Sequence, residues 1–170
     1  MLTLTKAYKI LELVKSEGIK LNNIKLIKDD EFSYSTNGII TIQNCNFNTN
    51  SKWYKFMIEY LKKEYNLDSN VYMFYDFLET FSFLHEVGHA KQGLDNDSKY
   101  DDEYFLYKNT VYISYEDAFK TYRELTLEKD ADNFAVSFIK RHKFEIWAIM
   151  NDISIVEAIE EYSFWNDIEG

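Results

Sequence analysis

With 170 residues, 46% of them hydrophobic, the chain has enough apolar matter for one core and too little for two, so a single domain over residues 1–170 is expected. Its 29 acidic and 19 basic residues leave a formal charge of −10, and no basic cluster interleaves with aromatics, which argues against direct nucleic-acid binding. One cysteine, Cys45, excludes an internal disulfide framework and paired CxxC metal sites, while the lack of a secretion-signal pattern or of 18 uninterrupted apolar residues points to a soluble, cytoplasmic protein with no membrane partner.

Leu4, Ala7, Leu11 and Val14 recur at helical spacing, with Thr3 or Thr5 able to cap the start and Gly18 suited to the stop, which predicts a helix over 4–16. From Ile19 to Phe47 the pattern turns to short β-rich pieces, NNIKLIK, EFSYS and IITIQ, the last two separated by Asn37-Gly38, a hairpin signal. A small antiparallel sheet is expected there; its edge either aligns a peptide by strand addition or merely covers the core. Asn48 to Ser51 breaks the chain, after which Trp53, Phe56, Met57, Tyr60 and Leu61 form an amphipathic stripe on a helix over about 51–65, read as core.

Residues 71–92 read as a long apolar helix ending near Gly93, and it carries His85-Glu86-Val87-Gly88-His89. Positions four apart share a helix face, so His85 and His89 can hold one metal ion between them. Glu86 projects about 100° away around the axis, where it can stand beside the metal and accept a proton from water. H-E-x-x-H is a zinc-peptidase signature, and neutral imidazoles leave a zinc ion enough charge to activate water near neutral pH. Gly88, costly in a helix interior by about 1 kcal/mol relative to Ala, suggests close packing or access to the metal.

Beyond this helix, LDNDSKYDDEYF crowds five acidic residues into nine positions; Lys99 and the lack of a suitably placed Gly argue against a calcium loop, and a solvated loop is expected. A short strand is expected at Val111–Tyr115, then a helix opened by Ser114 and Asp117 and running to about Glu124. Thr126 is read as the cap of a further helix, with Ala131, Phe134, Ala135 and Phe138 on its buried face.

A catalytic zinc takes three protein ligands and leaves a position for water. Glu128 and Asp132, four apart on one stripe, offer the missing ligand and a carboxylate to orient a ligating histidine. Glu124 is the rival third ligand if the helix runs unbroken from Tyr115. His142, in Lys140-Arg141-His142-Lys143, is read as part of a basic helix C-terminus; it is also a remote candidate for transition-state stabilisation, alongside Tyr112 and Tyr115. The segment FEIWAIMNDISIVEAIEEYSFW should form two short helices divided at Asn151-Asp152, with Ser154 and Glu157 as a capping box and Trp147, Ile155, Val156, Ile159 and Phe164 packed on the domain.

HEVGH followed by E-x-x-A-D-x-F-A at Glu128–Ala135 resembles the ImmA/IrrE (DUF955) family of zinc metallopeptidases, within the wider gluzincin pattern; the likeness covers about residues 75–140. It implies an α+β, mostly helical zincin-like domain with one Zn2+ per chain, bound by His85, His89 and Glu128. It further implies Glu86 as general base and Asp132 as the carboxylate that orients a ligand. The activity so implied is endopeptidase cleavage of a protein partner, with repressor-type transcriptional regulators of phages or mobile elements among the candidate substrates. The acidic, Tyr-rich stretch between His89 and Glu128 departs from better-known members and bears on the substrate groove. The competing expectation is a zinc-containing regulatory protein that sequesters a partner without cutting it; intact Glu86 argues against it, since a structural site has no use for a base.

Overall fold

The computed structural model describes residues 1–21, 23–35, 38–43, 48–66, 77–95 and 101–169. Helix α1 (Leu4–Ser16) takes its expected bounds. Thr3 Oγ1 accepts a hydrogen bond from the Lys6 amide, and Gly18 adopts φ +78° just beyond the end. Its stripe of Ala7, Ile10, Leu11 and Val14 is buried.

Three strands follow, β1 (Lys25–Asp29), β2 (Ser33–Ser35) and β3 (Ile39–Gln43), in the spatial order β1-β3-β2. The expectation of an antiparallel sheet fails at β1. β2 pairs antiparallel with β3, with Ser33 opposite Thr41 and Ser35 opposite Ile39, but β1 runs parallel to β3 from Lys25↔Ile39 to Asp29↔Gln43. The physical reason lies in β3. Ile40 and Ile42 are fully buried and Thr41, on the opposite face, is nearly so, so this strand is covered on both faces and takes the centre, and the more polar β1 and β2 take the edges. A 2.6 Å contact between the Ser33 and Thr41 hydroxyls sets the β2–β3 register. Lys28 Nζ donates to the carbonyls of Leu2 and Gln43, tying the sheet to the start of α1. Asn37 of the hairpin signal and Cys45 lie outside the described residues.

Helix α2 (Lys52–Tyr65) begins where Ser51 Oγ accepts from the Tyr54 amide at 3.0 Å and ends at Asn66 in the left-handed conformation. Helix α3 (Phe77–Asp95) carries the HEVGH segment; the first residues of the expected helix, 71–76, lie outside the description, and α3 continues helical through Gly93. The acidic stretch expected as a loop contains helix α4 (Asp101–Asn109). Phe105 and Leu106 remain exposed on it, so α4 buries no clear stripe and leaves no helical period to read. The strand expected at Val111–Tyr115 does not form: Val111 and Ile113 are 95% and 98% exposed, with no strand beside them among the described residues.

Helix α5 (Tyr115–Glu124) is capped by Ser114, whose hydroxyl accepts from the Asp117 amide. The chain breaks at Leu125 (φ −58°, ψ 138°) before helix α6 (Thr126–Arg141). Thr126 is the first residue of α6 rather than its cap, and the cap is tertiary: the Glu103 carboxylate of α4 accepts from the Thr126 amide and hydroxyl, both at 2.7 Å. Helices α7 (Lys143–Asn151) and α8 (Ile155–Glu169) are divided by Asp152 in the left-handed conformation, and Ser154 and Glu157 cap α8 reciprocally. Contrary to expectation, Ile155, Val156 and Ile159 are exposed; α8 packs instead through Ala158 and Tyr162 against Trp147 and Ala148. The Phe164 side chain lies outside the description.

The main core gathers Ile10 and Leu11, Ile40 and Ile42, Leu61, Phe138 and, above all, Phe81, Phe83, Leu84 and Val87 of α3, all buried. The architecture is α+β and mostly helical. No helix among the described residues is long and apolar enough to cross a membrane.

Candidate metal centre and its cavity

Two helices build the site. Along α3, His85 meets Asp132, Gly88 meets Ala131, His89 meets Glu128 and Gln92 meets Leu127, so partner numbers fall on α6 as they rise on α3 and the helices are antiparallel. Gly88 permits the approach. A Cβ there would lie 3.0 Å from Ala131 Cα and 3.2 Å from both Ala131 Cβ and its carbonyl oxygen, so close that α6 would have to give by a few tenths of an ångström. Of the two expectations for Gly88, close packing is the one the structure supports.

His85 Nε2 and His89 Nε2 are 3.0 Å apart, with Glu128 Oε2 3.2 Å from the first and Glu128 Oε1 3.5 Å from the second. These three residues can hold a metal ion, each offering one ligand atom within 4.8 Å of the others. The Nε2 atoms point inward because each Nδ1 is engaged outward. His85 Nδ1 donates to Asp132 Oδ1 at 2.9 Å, and His89 Nδ1 donates to Gln92 Oε1 at 2.7 Å, while Gln92 Nε2 donates to the Leu127 carbonyl of α6. Both rings are thereby fixed in orientation and tautomer, as outer partners of metal-bound imidazoles do. Two ring nitrogens and a carboxylate oxygen, all directed at one point, are a donor set that suits a divalent ion such as zinc.

Asp132 is completely buried and fully engaged. Oδ1 accepts from His85 and from the Arg123 guanidinium, and Oδ2 accepts from the hydroxyls of Tyr60 and Tyr65, each at 3.4 Å. Arg123, also buried, spans the two carboxylates of α6, donating to Glu128 Oε2 at 3.3 Å as well as to Asp132. Burial alone would favour a neutral His85 ring, but hydrogen bonds to Asp132 and Glu128 outweigh it and raise its pKa to about 9. Glu128 is pulled the other way: burial opposes its charge, yet hydrogen bonds from His85 and His89 hold it well below the usual carboxylate range. Burial pushes Glu86 up, against the opposing pull of the two histidines.

A cavity of about 410 Å³ opens beside this cluster. His85, Glu86, Tyr122, Arg123 and Glu128 line it on the metal side; Phe32, Trp53, Met57, Phe81 and Phe119 give it apolar walls, and the exposed Asp30 and Glu31 stand at its mouth. Trp53 and Met57 thus belong to the cavity wall as well as to the core, to which the sequence reading assigned them. Tyr122 is half-buried beside Glu128, and that burial together with the negative charge of Glu128 raises its pKa, so its hydroxyl keeps its proton.

All five residues singled out in the sequence, His85, Glu86, His89, Glu128 and Asp132, come together here. Glu124 does not: the break at Leu125 turns it outward, where it pairs with Lys129. Nor does His142, whose ring reaches Glu17 of the α1 C-cap at 2.6 Å and closes the C-terminus of α6. Tyr112 donates to the Tyr107 carbonyl and is not among the residues that line the cavity, and the Tyr115 side chain lies outside the description. Sequence reasoning missed Arg123, Gln92 and Tyr122. Gln92 carried a signal, three residues after His89 and thus on its face; the other two sit on α5, a helix read only for its cap. Compared with protein-family models, with curated proteins and with solved structures, the chain matches none.

Proposed function

We propose that this chain is a zinc-dependent endopeptidase of the ImmA/IrrE kind, with a zincin-like active site, acting on a protein substrate. The observation that supports it most is the convergence of His85 Nε2, His89 Nε2 and the Glu128 carboxylate on one side of a cavity that Glu86 also lines. Zinc bound by those three groups would supply the Lewis acidity that lowers the pKa of water and polarises a peptide carbonyl. Glu86 receives the proton from the attacking water on its carboxylate and passes it to the departing amine nitrogen as the C–N bond breaks. Its burial raises its basicity toward the value a general base needs. Tyr122, which keeps its proton and lines the same cavity, is the donor available to a developing oxyanion. Asp132 and Gln92 hold the imidazoles in register and do not touch the reacting atoms.

The charge of −10 agrees with a basic protein partner such as a transcriptional regulator. The second reading, a regulatory protein that sequesters its partner uncut, is favoured by the exposed apolar side chains of Phe105, Leu106, Val111 and Ile113, in the stretch of chain that links the two ligand helices. Elemental mass spectrometry of the purified chain should give about one zinc per molecule, and the zinc-loaded chain should cut a candidate regulator. Glu86→Gln should keep the metal and lower cleavage at least ~100-fold. A Glu86→Gln variant cutting at the native rate would refute the assignment, and a stable uncut complex with the native chain would favour the binding protein.

A further inference from the structure

We propose that Arg123 is a positioning residue that decides how the Glu128 carboxylate meets a metal ion. It keeps Oε2 on its own guanidinium, so that Glu128 gives the ion one oxygen rather than two and a position beside the cavity stays open for water and substrate. The inference rests on the zinc reading of the site and adds what controls the number of its donors.

Both carboxylate oxygens are within range of the ion. Donors around a four-coordinate zinc, with bonds of about 2.0–2.1 Å, stand roughly 3.4 Å apart. Glu128 Oε2 is 3.2 Å from His85 Nε2, and Oε1 is 3.5 Å from His89 Nε2. Distance alone therefore allows both oxygens onto the ion, and with two imidazoles that set fills the four positions of a tetrahedral site. Arg123 Nη1, 3.3 Å from Oε2, breaks the symmetry. An oxygen that already accepts from a guanidinium is a poorer donor to a second cation beside it, because the two positive charges repel, and Oε1 is left as the better ligand. Arg123 is held in this place. It is buried, Nη2 donates to Asp132 Oδ1, and its guanidinium carbon lies 5.6 Å from the centroid of the Tyr60 ring, whose hydroxyl donates to Asp132 Oδ2. Its Nε–H is buried too and has no partner among the described residues, so the guanidinium takes its orientation from the Nη end, where the fork serves both carboxylates at once. Arg123 also lines the cavity, and the hole left by its truncation can be refilled from that side.

The test begins with crystal structures of the zinc-loaded full-length chain, native and Arg123→Met. The native chain should show one Glu128 oxygen within about 2.2 Å of zinc and the variant two. In solution, the visible absorption of the cobalt-loaded chain reports the binding of imidazole, a neutral one-atom donor that takes the open position. Arg123→Met and Arg123→Ala should bind it at least about 10-fold more weakly than the native chain. Guanidinium chloride at non-denaturing concentration should restore binding in Arg123→Ala and change nothing in the native chain. Lost packing alone would lower zinc affinity, whereas the freed Oε2 should keep it at or above the native value in competition with a chromophoric chelator. One Glu128 oxygen on zinc in both proteins, or imidazole binding that the substitutions leave unchanged, overturns the proposal. So does a native structure with both oxygens on zinc, a result that needs no variant to fold. A native chain that takes up no zinc overturns the zinc reading and this inference with it, while the expected change at Glu128 in a chain that cuts no protein refutes the peptidase reading alone.

Discussion

Gly88→Ala tests whether the metal centre depends on the approach of α3 to α6. The new methyl group would stand 3.0 Å from Ala131 Cα and 3.2 Å from its Cβ and carbonyl oxygen, so α6 must retreat by a few tenths of an ångström. Ala gains about 1 kcal/mol in helix propensity over Gly, whereas forcing a methyl into a packed contact costs about 1–3 kcal/mol. In metal-free protein the helices are free to part, and the net loss should be no more than about 2 kcal/mol. With zinc bound they are not free to do so, because His85 and His89 sit on one helix and Glu128 on the other. The residual strain, about 1–2 kcal/mol, then appears as a 5–30-fold loss in zinc affinity. Competition with a chromophoric chelator measures the affinity, and urea unfolding of the metal-free protein measures the fold. Adding Ala131→Gly removes the 3.2 Å contact with the Ala131 Cβ but leaves the backbone contacts at 3.0 Å to Cα and 3.2 Å to the carbonyl oxygen, so it should restore only part of the affinity. Zinc binding as tight in Gly88→Ala as in the native chain would refute the claim that this contact sets the spacing of the donors.

Asp132→Asn removes the charge that fixes His85 and half of the counter-charge of Arg123; zinc affinity should fall about 10–100-fold, and an unchanged dissociation constant would show that Asp132 does not orient the ligand. Arg123→Met leaves Glu128 and Asp132 buried without their shared cation, which should destabilise metal-free protein by about 3–5 kcal/mol. Bound zinc should reduce that loss by supplying positive charge, so thermal unfolding with and without zinc should show a larger metal-induced rise in Tm for the variant; an equal rise would mean that Arg123 serves packing alone. At the surface, hydrogen bonding to Arg141, helped by His142 and opposed by burial, lowers the Glu17 pKa from 4.5 to about 2. Because the folded value is the lower one, the stabilisation is present above pH 4.5 and is lost as pH falls toward 2. Glu17→Gln should therefore cost no more than about 1 kcal/mol at neutral pH, given the exposure of the pair. The gap to the native chain should close between pH 4.5 and 2 in urea titrations; a gap independent of pH would place the effect elsewhere than in the ion pair.

What could be read from the sequence is what is carried by local period and caps. The stripe of α1, the Ser51 and Ser114 caps and the Ser154/Glu157 box each involve residues within a turn of one another, and each forms. The failures involve partners far apart in the chain. α6 is capped by Glu103, twenty-three residues earlier, and no local pattern records that. α4 has acidic residues in its first turn and no buried stripe, so it looked like a loop. β1 next to β3 is a pairing across the intervening β2, settled by which strand needs covering on both faces rather than by which strands are neighbours in sequence.

The same division runs through the site. His85, Glu86 and His89 share one helix, and Glu128 and Asp132 share another, so helical spacing alone was enough to mark them. Arg123 lay hidden because its role exists only once the helices meet. Two carboxylates four residues apart, both almost wholly inaccessible to water, repel each other and carry a heavy desolvation cost. An arginine reaching both of them offsets that cost in a way that a surface lysine, more strongly hydrated and with a single donor head, would not. The break at Leu125 makes this reach possible: it ends α5 one residue after Arg123, so that the guanidinium turns onto α6 while Glu124 turns to solvent. The interruption that disqualifies Glu124 as a ligand is thus what lets its neighbour hold Glu128 and Asp132 in place.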